Sequence, residues 1–111
     1  MYYYVTIKPG EFCEIHETQN KEIEYETLRD AVQGYIEALN FNIEGNRLIC
    51  WIDEEGKLKS NMKPCINSPY GVIMGPCCIT GQDDEDTVGF SKEVAEKVKV
   101  YFDKLCCIIP A

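Results

Sequence analysis

Apolar positions along the chain follow two periods, close to two residues near the N-terminus and close to 3.6 in two later segments. Residues 1–7, MYYYVTI, are aromatic and β-branched, the composition of a strand. Lys8-Pro9-Gly10-Glu11 suits a type II turn, with proline setting φ and glycine taking the left-handed position. Residues 12–18 then return as a second strand. Leu28, Ala31, Val32, Tyr35, Ile36 and Leu39 recur at offsets of 3, 4, 7, 8 and 11, one face of an amphipathic helix. Thr27 is placed as its N-cap and Asp30 as the acid of a capping box. Gly34 interrupts this helix on its polar side at a cost of about 1 kcal/mol relative to alanine, which a close neighbour would explain.

Residues 40–46 read as a loop, and residues 48–52, LICWI, as a buried strand with Cys50 and Trp51 on opposite faces. Asp53-Glu54-Glu55-Gly56 turns the chain, with Gly56 suited to the αL position of a hairpin loop with a bulge. Lys57-Leu58-Lys59 then begins a return strand with its lysines on one face. Residues 61–69 hold two prolines and read as a loop. Residues 71–80 are apolar with Pro76 in the middle, which demotes the strand to an edge or marks a bulge. Residues 81–86 form an acidic turn. Ser91 caps the last helix, whose core face is Val94, Ala95, Val98, Tyr101, Phe102 and Leu105. Residues 1–111 are therefore expected to form a single α+β domain, two-layered, with a mainly antiparallel sheet of four to five strands and two amphipathic helices.

At 111 residues the chain is long enough to bury roughly two-thirds of the surface its unfolded form exposes, so neither metal nor disulfide is needed to explain folding. Nineteen acids against eleven bases leave a charge of −8, which disfavours direct binding to a nucleic-acid backbone and favours cationic protein surfaces. The first ten residues lack a charged leader and an apolar core, and no segment approaches the ~20 apolar residues of a membrane span, so a cytoplasmic protein is expected. Seven cysteines, an odd number with two vicinal pairs, fit reduced and mostly buried thiols better than a disulfide framework.

Metal binding is not expected, because there is no Cys-x-x-Cys and vicinal strand residues face opposite ways; Cys13 and His16 alone do not make a site. Asp83-Asp84-Glu85-Asp86 lacks the alternating acids and distant glutamate of a calcium loop. Catalysis by Cys13 or Cys65 with His16 as base has no supporting motif, so no catalytic residue and no cofactor is assigned. Charge is distributed more informatively. Residues 56–82 contain Lys57, Lys59 and Lys63 and no acid, while residues 1–26 hold six acids and two lysines. With Arg47, Trp51, Asn67 and Tyr70, these lysines offer a guanidinium fork, stacking faces and polar donors for a nucleotide-like anion. The bland reading is that they offset Asp53, Glu54 and Glu55 across the hairpin. The uncharged tail, residues 105–111, either docks on the domain's own core or makes a contact between copies, and self-association is the reading favoured.

Gly34-Tyr35-Ile36-Glu37, then Glu54-Glu55-Gly56-Lys57, then Gly75, the Glu85-Asp86 pair and residues 91–102 resemble an uncharacterised family of short proteins common in phages and other mobile elements, of the domain of unknown function 3846 type. That family has a helix with a glycine-tyrosine-isoleucine-glutamate core, a strand ending in an acidic glycine-lysine motif, a glycine-containing strand and a closing helix. The resemblance implies a phage or mobile-element setting more than a chemistry; in that setting the expected role is a non-catalytic, homo-oligomeric binding protein in the host cytosol that counters host defence by sequestering an anionic nucleotide signal. Arg47, Lys57, Lys59 and Lys63 would meet phosphates, and Trp51 or Tyr70 would stack on a base. Two alternatives stand beside it: an acidic nucleic-acid mimic that inhibits a host defence or restriction enzyme, and a small cysteine-dependent enzyme.

Overall fold

The computed structural model describes residues 1–59 and 61–108. Strands β1 (Tyr2–Ile7) and β2 (Glu14–Thr18) form the expected hairpin, with Gly10 at φ 83° and the Glu11 N–H donating to Lys8 O at 3.1 Å. The later elements are α1 (Tyr25–Val32), β3 (Ile36–Ile43), β4 (Asn46–Asp53), β5 (Pro64–Ser68), β6 (Gly71–Met74), β7 (Cys77–Asp83), β8 (Asp86–Val88) and α2 (Lys92–Asp103). The main sheet has the order β2-β1-β7-β4-β3, with β8 beside the end of β7, and β5-β6 is a separate hairpin; every pairing is antiparallel. The α+β class, the antiparallel sheet and the two helices agree with the expectation from sequence. No helix among the described residues is long and apolar enough to cross a membrane.

Because successive strand residues face opposite ways, the sheet sorts its side chains into two cores. Val5, Ile7, Leu48, Cys50, Ile52, Cys77 and Ile79 join Ala95, Val98 and Phe102 of α2 and Cys65, Ile66 and Ile73 of the β5-β6 hairpin. Their neighbours Tyr4, Trp51 and Cys78 face the other way, under Leu28 and Val32 of α1. The two helices therefore cover opposite faces. Ser91 caps α2 as expected, its Oγ accepting the Val94 N–H at 3.2 Å.

The first helix differs from its expected extent. It starts at Tyr25 behind Glu24, so Thr27 and Asp30 lie within it and form no capping box. It stops at Val32, where Gln33 takes the left-handed conformation (φ 62°) and donates its N–H to Arg29 O at 2.7 Å. The chain then continues as a strand. Leu39, Phe41 and Ile43 alternate with Asn40 and Asn42, a period of two, and Glu44 (φ 51°) and Gly45 (φ 83°) close a tight hairpin of type I′ sense. The Asn42 Oδ1 supports that turn by accepting the Gly45 N–H at 3.1 Å. Residues 40–46 are thus hairpin, not loop.

Beyond β4 no return strand forms. The fully buried Asp53 carboxylate accepts the Glu55 N–H at 2.9 Å and the Lys59 ammonium at 2.5 Å, coiling the chain into a 3-10 turn over Gly56–Leu58. Gly56 is not left-handed; its role is close approach, since a Cβ there would lie 2.6 Å from Met74 O. The expected loop at residues 61–69 contains β5, and the expected single strand at residues 71–80 is two strands broken at Gly75 (φ 84°) and Pro76. β7 lies between β1 and β4 in the middle of the sheet rather than at an edge. Pro76 stands just outside that ladder, so its missing N–H removes no bond from it. The acidic turn narrows to Asp84-Glu85, with β7 and β8 on either side. In the tail, Asn67 N–H donates to Leu105 O (2.8 Å) and Cys107 N–H to Cys65 O (2.9 Å), so residues 105–107 dock on β5; residues 109–111 of the expected tail lie outside the described residues.

Candidate ligand-binding site

A helix of eight residues is short for the sheet it covers. α1 packs on β3, β4 and β7, and the same face of β1 and β2 remains open beside it. The result is a cleft of about 770 Å³. Its floor is Tyr4 and Thr6 of β1 with Glu14 and His16 of β2, its wall is Thr27, Asp30, Ala31 and Gln33, and Lys8-Pro9, Met62-Lys63 and Pro76 line it too.

The floor is organised by cross-strand pairing. Tyr4 lies directly opposite His16 in the ladder, and the two rings stack with centroids 4.9 Å apart and planes 14° apart. His16 Nε2 and Thr6 Oγ1 are hydrogen-bonded at 2.6 Å, which fixes the imidazole's orientation. Burial, then the neighbouring Cys78 and Glu14, raise the Tyr4 phenol above its usual range, so it stays a neutral donor. Two lysines (Lys8 and Lys63), two acids (Glu14 and Asp30) and an aromatic–imidazole platform thus share one hollow. Such a set can stack on a planar group, give cations to an anion and accept from amino groups.

Of the residues singled out from sequence, Lys63 lines this cleft. Lys57 and Tyr70 meet elsewhere, in a hollow of about 210 Å³ shared with Glu37, Asp53 and Glu54, where the Tyr70 hydroxyl donates to Asn40 O at 2.6 Å. Lys59 is held by Asp53. Trp51 is half-buried beneath α1, its indole N–H given to the buried Thr80 hydroxyl at 2.9 Å. Arg47 is exposed opposite Asn42 at the far end of β4, and Asn67 is exposed on β5. The fold does not bring these seven into one cluster. Nor does it join Cys13 or Cys65 to His16. Cys13 and Cys65 lie in the α2-side core, while His16 lines the cleft on the other face. Burial pushes the Cys13 thiol up; hydrogen bonding to Cys77, then burial, raise Cys65.

Nothing in the sequence singles out Tyr4, Thr6 or Glu14, and His16 stands out there only as a partner for Cys13 or Cys65, although both strands and their turn are legible. Alternation across that hairpin puts all four on one face. That this face is uncovered depends on which strands α1 packs against, which the local pattern does not reveal.

The two segments that carry the family resemblance are neighbours in space. Ile36 and Glu37 pair with Asp53 and Ile52, Tyr35 O accepts the Glu54 N–H at 2.8 Å, and Gly34 packs on the Asp53 carboxylate, where a Cβ would come within 2.6 Å. Gly34-Tyr35-Ile36-Glu37 is therefore a turn entering a strand, not the core of a helix. Fold and cleft together define a small α+β domain with an open hollow on one face of an antiparallel sheet. Over residues 2–103 the chain matches the family described as a domain of unknown function (DUF3846), and it belongs to that family. No curated protein and no solved structure matches it.

Proposed function

We propose that the protein acts by binding, holding a small planar ligand with an anionic group, of the nucleotide class, in the cleft between α1 and the β1-β2 hairpin. The observation that carries this reading is the size and lining of the hollow. About 770 Å³ lies within the range of small-molecule sites, and the stacked Tyr4–His16 pair shares it with Lys8 and Lys63. In this arrangement the rings take the base, the two ammonium groups take phosphate, and Asp30 or Glu14 accepts from exocyclic amines. Of the residues first considered for the anion, Lys63 keeps that role. The biological setting we infer is that of a phage or mobile-element protein which sequesters a host signal nucleotide to counter defence; its support is the family resemblance joined to the cleft.

Thermal shift and calorimetry against a panel of cyclic and linear nucleotides test the proposal. A melting temperature raised by several degrees with one of them is expected. Lys63→Ala should weaken that binding about tenfold or more, the scale of one charge-assisted hydrogen bond, without lowering the melting temperature of the free protein. A flat response across the panel would count against the reading.

A second reading, an acidic module that blocks a host defence or restriction enzyme, is favoured by the exposed acids Asp83, Asp84, Glu85 and Asp86 at the β7-β8 hairpin. It predicts a cationic host protein captured at low salt and released at high salt, with capture lost on replacing Asp84, Glu85 and Asp86 together.

A further inference from the structure

Three groups far apart in sequence converge at the foot of α2. Cys13 precedes β2, Asp103 ends α2 and Cys106 lies in the tail that pairs with β5, yet their ligand atoms all lie within 4.8 Å of one another. Cys13 is buried, and Asp103 and Cys106 are half-exposed, so the cluster has a closed side and an open side.

We propose that Cys13, Asp103 and Cys106 form a binding site for one thiophilic divalent cation of the zinc class, with the fourth coordination position open toward solvent. Two sulfurs and one oxygen match a tetrahedral borderline-soft ion and do not match calcium or magnesium, which take oxygen ligands. Sulfurs bound to zinc at about 2.3 Å stand roughly 3.8 Å apart, a separation compatible with ligand atoms that all lie within 4.8 Å of one another. The surroundings are those that hold metal ligands in place. The Cys13 N–H donates to Asp103 Oδ1 at 2.7 Å, and Lys99 Nζ lies 2.9 Å from Asp103 Oδ2 and donates to Cys13 O at 2.7 Å. These bonds aim the carboxylate and tie the Cys13 backbone to α2.

Charge also balances. Two thiolates and a carboxylate around a dication leave one negative charge, and the Lys99 ammonium offsets it. Binding breaks two S–H bonds, forms two metal–sulfur bonds and releases two protons to the solvent; no electrons are transferred. Nothing in the sequence pattern reveals the site, since its ligands are 90 and 3 residues apart.

Titration of the reduced full-length protein with Co²⁺, followed by displacement with Zn²⁺, tests the site. One equivalent of Co²⁺ should produce thiolate-to-cobalt charge-transfer absorption that Zn²⁺ abolishes, with about two protons released per ion. Cys106→Ser and Cys13→Ser should each weaken binding at least tenfold, and Cys107→Ser should leave it intact. Because Cys13 is buried and its variant is at risk of misfolding, the half-exposed Cys106 carries the test on its own, checked by an unchanged circular dichroism spectrum. Absence of charge-transfer absorption at one equivalent, or an unchanged affinity for Co²⁺ in Cys106→Ser, overturns the proposal.

Discussion

Gly34 and Asp53 show how one close approach organises the chain's most distinctive segment. Gly34 needs no unusual φ; what it needs is space, because a Cβ would fall within 2.6 Å of the Asp53 carboxylate. That carboxylate is in turn fully buried and bonded to the Glu55 N–H and Lys59. Gly34→Ala is therefore expected to destabilise by on the order of 1–3 kcal/mol in urea unfolding. In an Asp53→Ala background the same substitution should cost much less, a coupling that a double-mutant cycle reads directly. Gly10→Ala makes a useful contrast. Its surroundings are open, so its cost of about 1 kcal/mol comes from the left-handed backbone alone. A close neighbour explains Gly34, as its cost in a helix suggests, but that neighbour, Asp53, is nineteen residues away and has no signature in the local pattern.

Among the elements, the end of α1 borders the candidate site, since Gln33 lines the cleft. Gln33 sits at φ 62°, a conformation that costs a residue with a Cβ about 1–2 kcal/mol. Gln33→Gly should stabilise the protein by up to about 1 kcal/mol, measured as a rise in the urea midpoint with an unchanged slope. The apolar offsets through Leu39 fit a continuing helix, and they fit equally a helix handing over to a strand. Alternation of Asn40 and Asn42 with Leu39, Phe41 and Ile43, followed by Glu44-Gly45, fits a strand there but does not place the residue at which the helix ends.

Across the whole molecule, five of the seven thiols are buried. Cys50, Cys65, Cys77 and Cys78 are fully buried, and Cys13 nearly so. Burial pushes Cys78 up to about 12 and raises Cys13; hydrogen bonding among Cys50, Cys65 and Cys77 accompanies the rise at Cys65 and Cys77. A thiol whose folded pKa lies above the unfolded value of about 8.5 binds more protons folded than unfolded in the interval between them. Its contribution is complete below about pH 8.5 and is lost as pH rises toward the folded pKa. Denaturant midpoints measured under reducing conditions should hold steady to about pH 8.5 and fall above it. In Cys78→Val, which cannot ionise, the decline should be shallower. A slow alkylating agent should label Cys106 and Cys107 well before the five buried thiols.

Local chemistry in the sequence determined the β1-β2 hairpin, the capped α2 and the α+β class, because a turn, a cap and a periodic face are each specified by residues a few positions apart. The tertiary structure alone decided where α1 stops and which strand lies in the middle of the sheet. It also decided that Tyr4, His16, Lys8 and Lys63 share a cleft, and that Cys13 meets Asp103 and Cys106. The physical reason is common to all four. Each is settled by contacts between segments distant in sequence, and neither hydrophobic period nor charge map carries information about which distant segments will pack together.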